Sequence, residues 1–298
     1  MTTFQSMIDD VTINLAGYSL RQDRATHLTE AITSSSTTLK LASNDIGKGI
    51  IEIDDELIWV DSYDRNSSTA TIPPYGRGYM GTTAAAHSSG AKVTIAPLFP
   101  KTTIKKAIVE TLDSVYPKLY GVFHTNITAN ASRNTYALPA DVQNVIYASW
   151  QNVGPTGEWI PIRKWRLDSF ANHDVYPTRN TISIYDRRII PGRDIQVTYT
   201  RKPVGFTDVT DDFETTTGLP SSTKDVIVFG AAWRLLSFID AGRLTYQSAE
   251  ADSADSKLQF GSASSAARNL LAIYTQRLRE ESDKLIDQYP FRPHYSRY

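Results

Sequence analysis

The feature that most limits how this chain can fold is a broad apolar stretch from Leu219 to Ala241, LPSSTKDVIVFGAAWRLLSFIDA. Pro220 precedes two serines, a helix-start pattern in which Ser221 or Ser222 caps free backbone N–H groups. Behind them, apolar residues recur mostly at steps of three and four: Val226, Ile227, Phe229, Trp233, Leu235, Leu236, Phe238 and Ile239. So wide a stripe is typical of a helix packed on two or more sides. We therefore predict a core helix whose role is architectural.

Composition sets the class of protein. The chain has 298 residues, of which 41% are apolar and 21% charged, the balance of an ordinary globular protein with a sizeable core. Its formal net charge of −1 argues against a large basic surface for gripping nucleic acid. The absence of cysteine excludes disulfides, thiolate metal sites and a cysteine nucleophile. No signal-peptide pattern and no membrane-length apolar run occurs, so we expect a soluble protein used without secretion.

Four helical segments alternate with two regions of short β-branched runs. Helical periodicity covers residues 4–32, 101–116, 219–241 and 263–287. In the first of these, Gly17 and Tyr18 indicate a break before a second short helix. Residues 35–97 and 122–204 contain short runs separated by turn residues, which is typical of antiparallel sheets. In the first of these regions, Asp54 and Asp55 stand between two apolar runs and predict a hairpin turn.

We therefore predict an α+β protein with a helical bundle core, two inserted antiparallel β modules and an extended C-terminal arm. The predicted parts are a helical bundle at 1–34, 98–121 and 219–288, a small β module at 35–97, a larger β domain at 122–218, and a docking tail at 289–298.

Motifs for catalysis or cofactor binding are weak. Gly76–Gly81 matches G-x-G-x-x-G, but prolines precede it and Gly90 interrupts the segment after it, so we predict turn glycines rather than a nucleotide site. The histidines lack metal-binding spacing, and His87 is expected to hydrogen-bond locally and hold the Gly81–Gly90 loop. We expect no catalytic residue, no cofactor and no metal, and hence no enzyme.

Two acidic groups leave alternatives open. Asp54, Asp55 and Glu56 could pair as acid and base, although charges on a hairpin turn are normally solvated. A second group could offer oxygen ligands to calcium, but it lacks the spacing and central glycine of a calcium loop. Its members are Asp208, Asp211, Asp212 and Glu214.

One segment carries a family resemblance. The runs IEIDDELIWV and YGRGYMGTTAAAHSSGAKV match the pattern I-x-I-D-x-E, then R-G-x-x-G-T-x-A-x-x-H-x-x-G-x-x-V. The matching positions are Ile51, Ile53, Asp54, Glu56, Arg77, Gly78, Gly81, Thr82, Ala84, His87, Gly90 and Val93. This pattern resembles a small β module of neck and tail proteins in tailed bacteriophages. We expect Arg77, Gly78, Gly81, Thr82, His87 and Gly90 to have structural roles within it.

Placed between helices, this module makes the chain similar to a phage head-to-tail adaptor, also called a connector or neck protein. The resemblance implies a homo-oligomeric ring of about twelve copies beneath the portal, assembled in the host cytoplasm and located in the virion neck. It implies three protein partners: the portal protein, the next neck or tail protein (a stopper or tail terminator) and other copies of the chain. Double-stranded DNA would pass through the lumen without sequence recognition.

The segment after the last predicted helix alternates aromatic and basic residues, and Pro290 and Pro293 favour an extended backbone. Tyrosine and arginine are enriched at binding hot spots, so we predict a docking arm that orders on binding the portal. The predicted docking residues are Tyr289, Phe291, Arg292, His294, Tyr295, Arg297 and Tyr298. The alternative is a disordered end.

A second function class is suggested by the aromatic content of the β regions. Exposed aromatic rings on sheets can stack on sugars, so Trp59, Trp150, Trp159 and Trp165 suggest a tail component that binds or cleaves host-surface glycans. Cleavage would require two carboxylates placed across a cleft, which the sequence does not specify.

Overall fold

Five helices are present in the computed structural model, which describes residues 2–17, 23–43, 46–153, 157–247 and 262–289. They are α1 (Phe4–Ala16), α2 (Lys101–Val115), the short α3 (Phe213–Thr217), α4 (Lys224–Gln247) and α5 (Ser262–Gln288). Two 3-10 turns, Tyr79–Gly81 and Ser221–Thr223, complete the helical elements of the described residues.

Fourteen strands lie in the same described residues. The first seven are β1 (Arg24–His27), β2 (Thr38–Lys40), β3 (Gly49–Ile53), β4 (Glu56–Val60), β5 (Ser62–Asp64), β6 (Thr69–Thr71) and β7 (Lys92–Ile95). The others are β8 (Gly121–Thr128), β9 (Thr135–Ala137), β10 (Val142–Gln151), β11 (Trp159–Pro161), β12 (Trp165–Asp168), β13 (Thr181–Ile184) and β14 (Asp194–Arg201).

The chain divides into two compact units. Unit 1 comprises Met1–Met7, Val109–Phe229 and Leu271–Tyr298, and unit 2 comprises Ile8–Ile108 and Gly230–Leu270.

Unit 2 contains two antiparallel sheets, with strand orders β1-β7-β3-β4 and β2-β6-β5. Strands β3 and β4 form the predicted hairpin, in which Ile51 pairs with Ile58 and Ile53 with Glu56. Apolar side chains of both sheets share one buried cluster: Leu28, Ile32, Leu39, Leu41, Ile46, Ile51, Ile53, Ile58, Val60, Ala70, Ile72, Val93 and Ile95. The short β-branched runs of the sequence therefore build the core of this unit.

Unit 1 also contains two antiparallel sheets, with strand orders β11-β10-β14-β8 and β12-β13-β9. Along β14, the sequence alternation predicts that Ile195, Val197 and Tyr199 face the core while Gln196, Thr198 and Thr200 face solvent. The first three are buried and Gln196 and Thr198 are partly exposed, but Thr200 is buried as well. Ile195, Val197 and Tyr199 join a second core cluster that includes Trp150, Ile182 and Ile184 from other strands.

The fold-class prediction of a helical bundle core is wrong, because the described residues contain fourteen strands in four antiparallel sheets beside five helices, and these sheets have buried clusters of their own. Two large buried clusters come from the strand regions, and buried apolar residues also lie on α1, α2, α4 and α5, among them Ile8, Ile108 and Val226. Helical periodicity identified real helices, but it says nothing about whether helices or sheets supply the core.

The first part of the predicted helical region 4–32 is α1, which ends at Ala16, beside the predicted break at Gly17 and Tyr18. The second short helix predicted after that break is wrong for the described residues 23–32, and residues 18–22 lie outside the described range. Arg24–His27 instead pair with β7, and Leu28 and Ile32 make isolated bridges to Leu41 and His87. Pairing with distant strands outweighs local helical periodicity here, as tertiary context commonly does.

The predicted core helix at 219–241 is largely confirmed as α4. Its buried positions include three consecutive residues, Val226, Ile227 and Val228, so the helix is covered on more than one side. The predicted serine cap is absent, since Pro220 occupies the N-cap of the 3-10 turn without a side-chain hydrogen bond. Among the described residues, no helix has the length and apolar character needed to cross a bilayer.

Candidate functional site: the Glu56 network

The family-like motif surrounds one buried carboxylate, that of Glu56, which begins β4 directly after the hairpin turn. Asp54 in that turn has a positive φ of 51°, a backbone conformation in which aspartate is tolerated. The Glu56 residue is only 1% exposed. Because burying an unpaired carboxylate is very costly, the surrounding loop must supply hydrogen-bond donors.

Arg77 supplies the charged partner. Its Nε donates to Glu56 Oε1 at 2.8 Å and its Nη2 donates to Oε2 at 2.9 Å, the bidentate fork that arginine makes with carboxylates. Its Nη1 donates to the carbonyls of Thr33 at 2.6 Å and Ser36 at 3.2 Å, and Nη2 donates to that of Ala85 at 2.6 Å. Arg77 therefore joins the hairpin to two separate backbone segments.

Further donors complete the shell of Glu56. The backbone N–H groups of Gly78 and Ala85 donate at 2.9 Å and 3.1 Å, and His87 Nε2 lies 2.9 Å from Oε2. Burial raises the pKa of Glu56, but the hydrogen bonds from Arg77, Ala85, Gly78 and His87 outweigh it and hold that pKa at about 2. An ionised carboxylate offers about four lone-pair directions, and five described donors already occupy them. Glu56 is therefore an ionised, structural carboxylate at neutral pH. It carries no proton to donate, and both of its oxygens already accept hydrogen bonds.

His87 links the network to the hairpin turn. Its ring is buried, and Nδ1 lies 2.9 Å from Asp54 Oδ2. Its backbone pairs with that of Ile32 through hydrogen bonds of 2.9 Å and 3.0 Å. The His87 ring was expected to hydrogen-bond within its own loop, but its partners Asp54 and Glu56 lie on the hairpin. The prediction of a solvated charge is wrong for Glu56. We call Asp54, Glu56, Arg77, Gly78, Ala85 and His87 the Glu56 network.

The glycines shape the loop that carries these donors. Gly78 has a φ of 60°, and a Cβ placed there would lie 2.7 Å from the carbonyl oxygen of Thr82. Thr82 Oγ1 accepts a hydrogen bond from Leu57 N at 3.1 Å and fixes the loop to β4. Gly81 and Gly90 also have positive φ, 82° and 85°. A short 3-10 turn, not the helix that a dinucleotide site needs, comes after the first glycines, as the turn prediction implied.

Glu52 is a second buried carboxylate on the same hairpin, in a different environment. It is 5% exposed, and its Oε1 accepts a hydrogen bond of 2.6 Å from Lys101 N at the start of α2. Burial raises the pKa of Glu52, and the Lys101 N–H only partly offsets this. The two glutamates thus differ because Glu56 is held by an arginine fork and Glu52 by a backbone N–H.

Glu281 on α5 is a buried group that the sequence did not reveal: helical periodicity predicts Arg277, Arg279, Glu280 and Glu281 on the outward face. It is 3% exposed and accepts hydrogen bonds of 2.7 Å from both Ser222 Oγ and Lys284 Nζ. Burial raises the pKa of Glu281, but these donors outweigh it and lower the pKa below the ordinary value. The sequence does contain a sign of this burial. Residue 281 follows Leu278 by three and precedes Leu285 by four, which places all three on one helix face.

The predicted docking residues fall mostly outside the described range. Phe291, Arg292, His294, Tyr295, Arg297 and Tyr298 lie in residues 290–298, which the structure does not describe. Tyr289 is described: its N–H donates to the Leu285 carbonyl at 2.9 Å, and its ring packs against Tyr120, Ile146 and Leu285. Tyr289 therefore contributes to unit 1 itself.

The acidic group near α3 serves the backbone. Asp211 Oδ2 accepts hydrogen bonds from Thr207 N at 2.8 Å and Asp208 N at 2.9 Å, and Asp212 caps α3 by accepting from Thr215 N at 3.2 Å. Within the described ranges, no set of three or more His, Cys, Asp and Glu side chains is arranged to hold a metal ion.

The tryptophans that suggested glycan binding are differently placed. Trp150 is buried, Trp165 packs partly buried against the core of unit 1, and Trp59 contacts the Tyr79 ring at 5.4 Å. Trp159 on β11 is the most open of the four, at 41% exposure. The four tryptophans therefore do not form one exposed surface on which a sugar could stack.

In comparisons with known proteins, the chain matches no protein-family model and no curated protein.

Proposed function

We propose that this chain is a structural virion protein of a tailed bacteriophage, an adaptor that forms a ring of about twelve copies beneath the portal and joins head to tail. Its partners are the portal protein, the next neck or tail protein, further copies of the chain, and the double-stranded DNA that passes through the ring.

The observation that carries this proposal is the Glu56 network. Four polar side chains of the phage-neck-like motif, those of Asp54, Glu56, Arg77 and His87, take part in one connected set of hydrogen bonds. The fifth, Thr82, fixes the same loop to β4 through Leu57 N. Residues that match a family pattern by chance have no reason to meet around one carboxylate. Their convergence supports the interpretation of residues 51–93 as the same kind of module.

The chemistry of the network favours a structural role over a catalytic one. Its central carboxylate is ionised, buried and fully hydrogen-bonded, so it offers neither a general acid nor a general base. The rival hypothesis, a glycan-binding or glycan-cleaving tail component, finds less support because three of its four tryptophans are buried or packed against neighbours.

Electron microscopy of phage that carry an early nonsense mutation in this gene tests the proposal. We expect filled heads and separate, intact tails, because the joint between them is missing. Complete particles that fail to adsorb would contradict the adaptor function and favour the glycan-binding alternative. Supplying the wild-type chain from a plasmid is the control and should restore joined particles.

Portal binding is tested by truncation. A chain ending at Tyr289 keeps the ring that packs against Leu285 and removes the aromatic and basic residues beyond it, whereas a chain ending at Gln288 also removes that ring. We expect both to keep their circular dichroism spectrum, the longer one to keep its melting temperature, and neither to be captured by portal rings. Undiminished capture of the chain ending at Tyr289 would exclude the predicted docking arm.

A further inference from the structure

The three-stranded sheet of unit 1, order β12-β13-β9, packs one face against the core, and part of its other face is exposed. Ile182 and Ile184 lie in the core cluster, and Trp165 and Leu167 pack against it. Successive side chains of a strand point to opposite faces, so the residues between them face outward. At the Tyr185 end of the sheet these are Lys164, Arg166, Ser183 and Tyr185. Further along the same face, Asp168 is partly exposed and pairs with Thr181, which is buried.

The outward residues form two adjacent cross-strand pairs. Arg166 pairs with Ser183 in the ladder, and Tyr185 N donates to the Lys164 carbonyl at 2.9 Å, which extends the ladder by one step. Lys164 and Arg166 are two residues apart, or about 6.6 Å along the strand. Both are exposed, and Tyr185 is 53% exposed.

More cations gather at the end of the sheet where these pairs lie. Arg163 directly precedes Lys164, Arg187 and Arg188 come soon after Tyr185, and Arg133 precedes β9, whose Thr135 pairs with Ser183. All four arginines are exposed. Asp186 offsets part of the charge: hydrogen bonds of 2.7 Å and 2.9 Å from Arg188 lower its pKa, and the charge of Lys164 adds to this.

The solvent face and this end of the sheet together define a basic sheet face, made of Arg133, Arg163, Lys164, Arg166, Tyr185, Arg187 and Arg188. Since the whole chain has a net charge of −1, this concentration of positive charge is balanced by acidic residues elsewhere. A local basic surface attracts polyanions even when the total charge is near zero.

Three polyanionic partners can be compared. A protein partner normally meets an apolar patch centre with charges at the rim, and here cations occupy the centre. Single-stranded nucleic acid is held by successive aromatic rings, and this face offers one exposed ring, that of Tyr185. Duplex DNA presents dense phosphates on its outside and stacked bases inside, which suits cations and hydroxyl groups on a sheet.

We propose that the basic sheet face binds the phosphate backbone of double-stranded DNA without sequence preference. This goes beyond the proposed function, which requires only that DNA pass through the ring. Lys164 and Arg166 contact successive phosphates, the arginines at the end of the sheet extend the contact, and Tyr185 packs against the sugar-phosphate backbone. Such binding is purely electrostatic in origin and falls steeply with salt.

Fluorescence anisotropy with a labelled duplex tests the proposal on the full chain. We expect a dissociation constant on the order of 10⁻⁴–10⁻⁶ M that weakens as salt rises. The double variant Lys164→Gln/Arg166→Gln should bind more weakly, with the slope of log K against log salt reduced by about 2 because two phosphate contacts are lost. The control Arg65→Gln/Lys92→Gln removes as many exposed charges from unit 2 and should bind like the wild type.

Several results would overturn the proposal. They are the absence of duplex binding at low salt, equal loss in the control variant, tighter binding of a single strand of the same length, or equally tight binding of polyglutamate. Circular dichroism of both variants checks that folding is unchanged. The DNA titration needs neither the portal nor the ring, so its result is independent of the portal-capture experiment. Failure of DNA binding can therefore be distinguished from failure of the proposed adaptor function.

Discussion

Individual buried carboxylates in this protein differ because of their donors. Glu52 and Glu56 lie on one hairpin and are both buried, yet the pKa of Glu52 is raised by burial and that of Glu56 is held at about 2 by Arg77 and its other donors. The pairing with Arg77 therefore decides whether a buried charge costs or contributes stability.

Replacing each glutamate by glutamine should have opposite effects. Glu56→Gln leaves Arg77 buried with a neutral partner, and the pKa difference corresponds to a loss of about 3 kcal/mol in the free energy of unfolding near neutral pH. Glu52→Gln keeps an acceptor for Lys101 N and removes a buried charge, so we expect unchanged or increased stability. Denaturant unfolding of the two variants measures this, and equal destabilisation would contradict the assignment.

The same pair sets a pH dependence. Because the folded pKa of Glu56 lies below its ordinary value of 4.5, its contribution is complete above about pH 4.5 and is lost as pH falls toward 2. Unfolding curves in this window should show a steeper loss of stability for the wild type than for Glu56→Gln. The raised pKa of Glu52 acts with the opposite sign, since its favourable neutral form is lost as pH rises.

At the scale of elements, a buried ion links α5 to the turn before α4. Glu281 accepts from Ser222 Oγ in that turn and from Lys284 Nζ on its own helix. Neighbouring Glu280 is more exposed and is paired with Gln276 and Arg277 on the same helix.

Alanine substitutions at Glu280 and Glu281 should lower the free energy of unfolding by different amounts, because one carboxylate is on the surface and the other is buried. Glu281→Ala should lower the free energy of unfolding by about 2 kcal/mol because it removes the hydrogen bonds that the buried carboxylate accepts from Ser222 and Lys284. Glu280→Ala should cost less than about 1 kcal/mol, as exposed ion pairs do. Thermal melts of the two variants side by side provide the measurement, and a larger effect at Glu280 would refute the role of Glu281.

Elements were predictable where local pattern and final pairing agree. The hairpin around Asp54 and Asp55, α2 ending at Val115 before Pro117, and α5 all agree with local periodicity or turn residues. Arg24–His27 were wrongly predicted as helix. They form a strand by pairing with β7, which is far away in sequence, and local periodicity carries no information on such pairing. Side-chain roles were less accessible: the sequence marked His87 as a local anchor but could not show that Glu56 is buried.

For the whole molecule, the overall content of helix and strand and the net charge did not predict where buried and charged residues lie in the fold. Helical and β segments were both expected, yet the inference of a bundle core was wrong because four antiparallel sheets have buried clusters of their own. Similarly, a net charge of −1 argued against a basic surface, but cross-strand pairing brings Lys164 and Arg166 beside arginines from other segments. The buried clusters of the sheets and the local cluster of positive charge both depend on strand pairing, which the sequence alone does not specify.

The enclosure of Arg77 also determines how the protein meets a protease. Its guanidinium is enclosed by carbonyls and the Glu56 carboxylate, with only 9% of the side chain exposed, although it lies in an irregular loop. Trypsin must draw an arginine side chain into its own specificity pocket, so the bond after Arg77 should resist cleavage while those after exposed Arg187 and Arg188 are cut. Mass spectrometry of a timed digest should show a fragment that retains Arg77 internally, and in Glu56→Gln the same loop should become an early cleavage point. A loop without regular secondary structure would thus be protected by one ion pair.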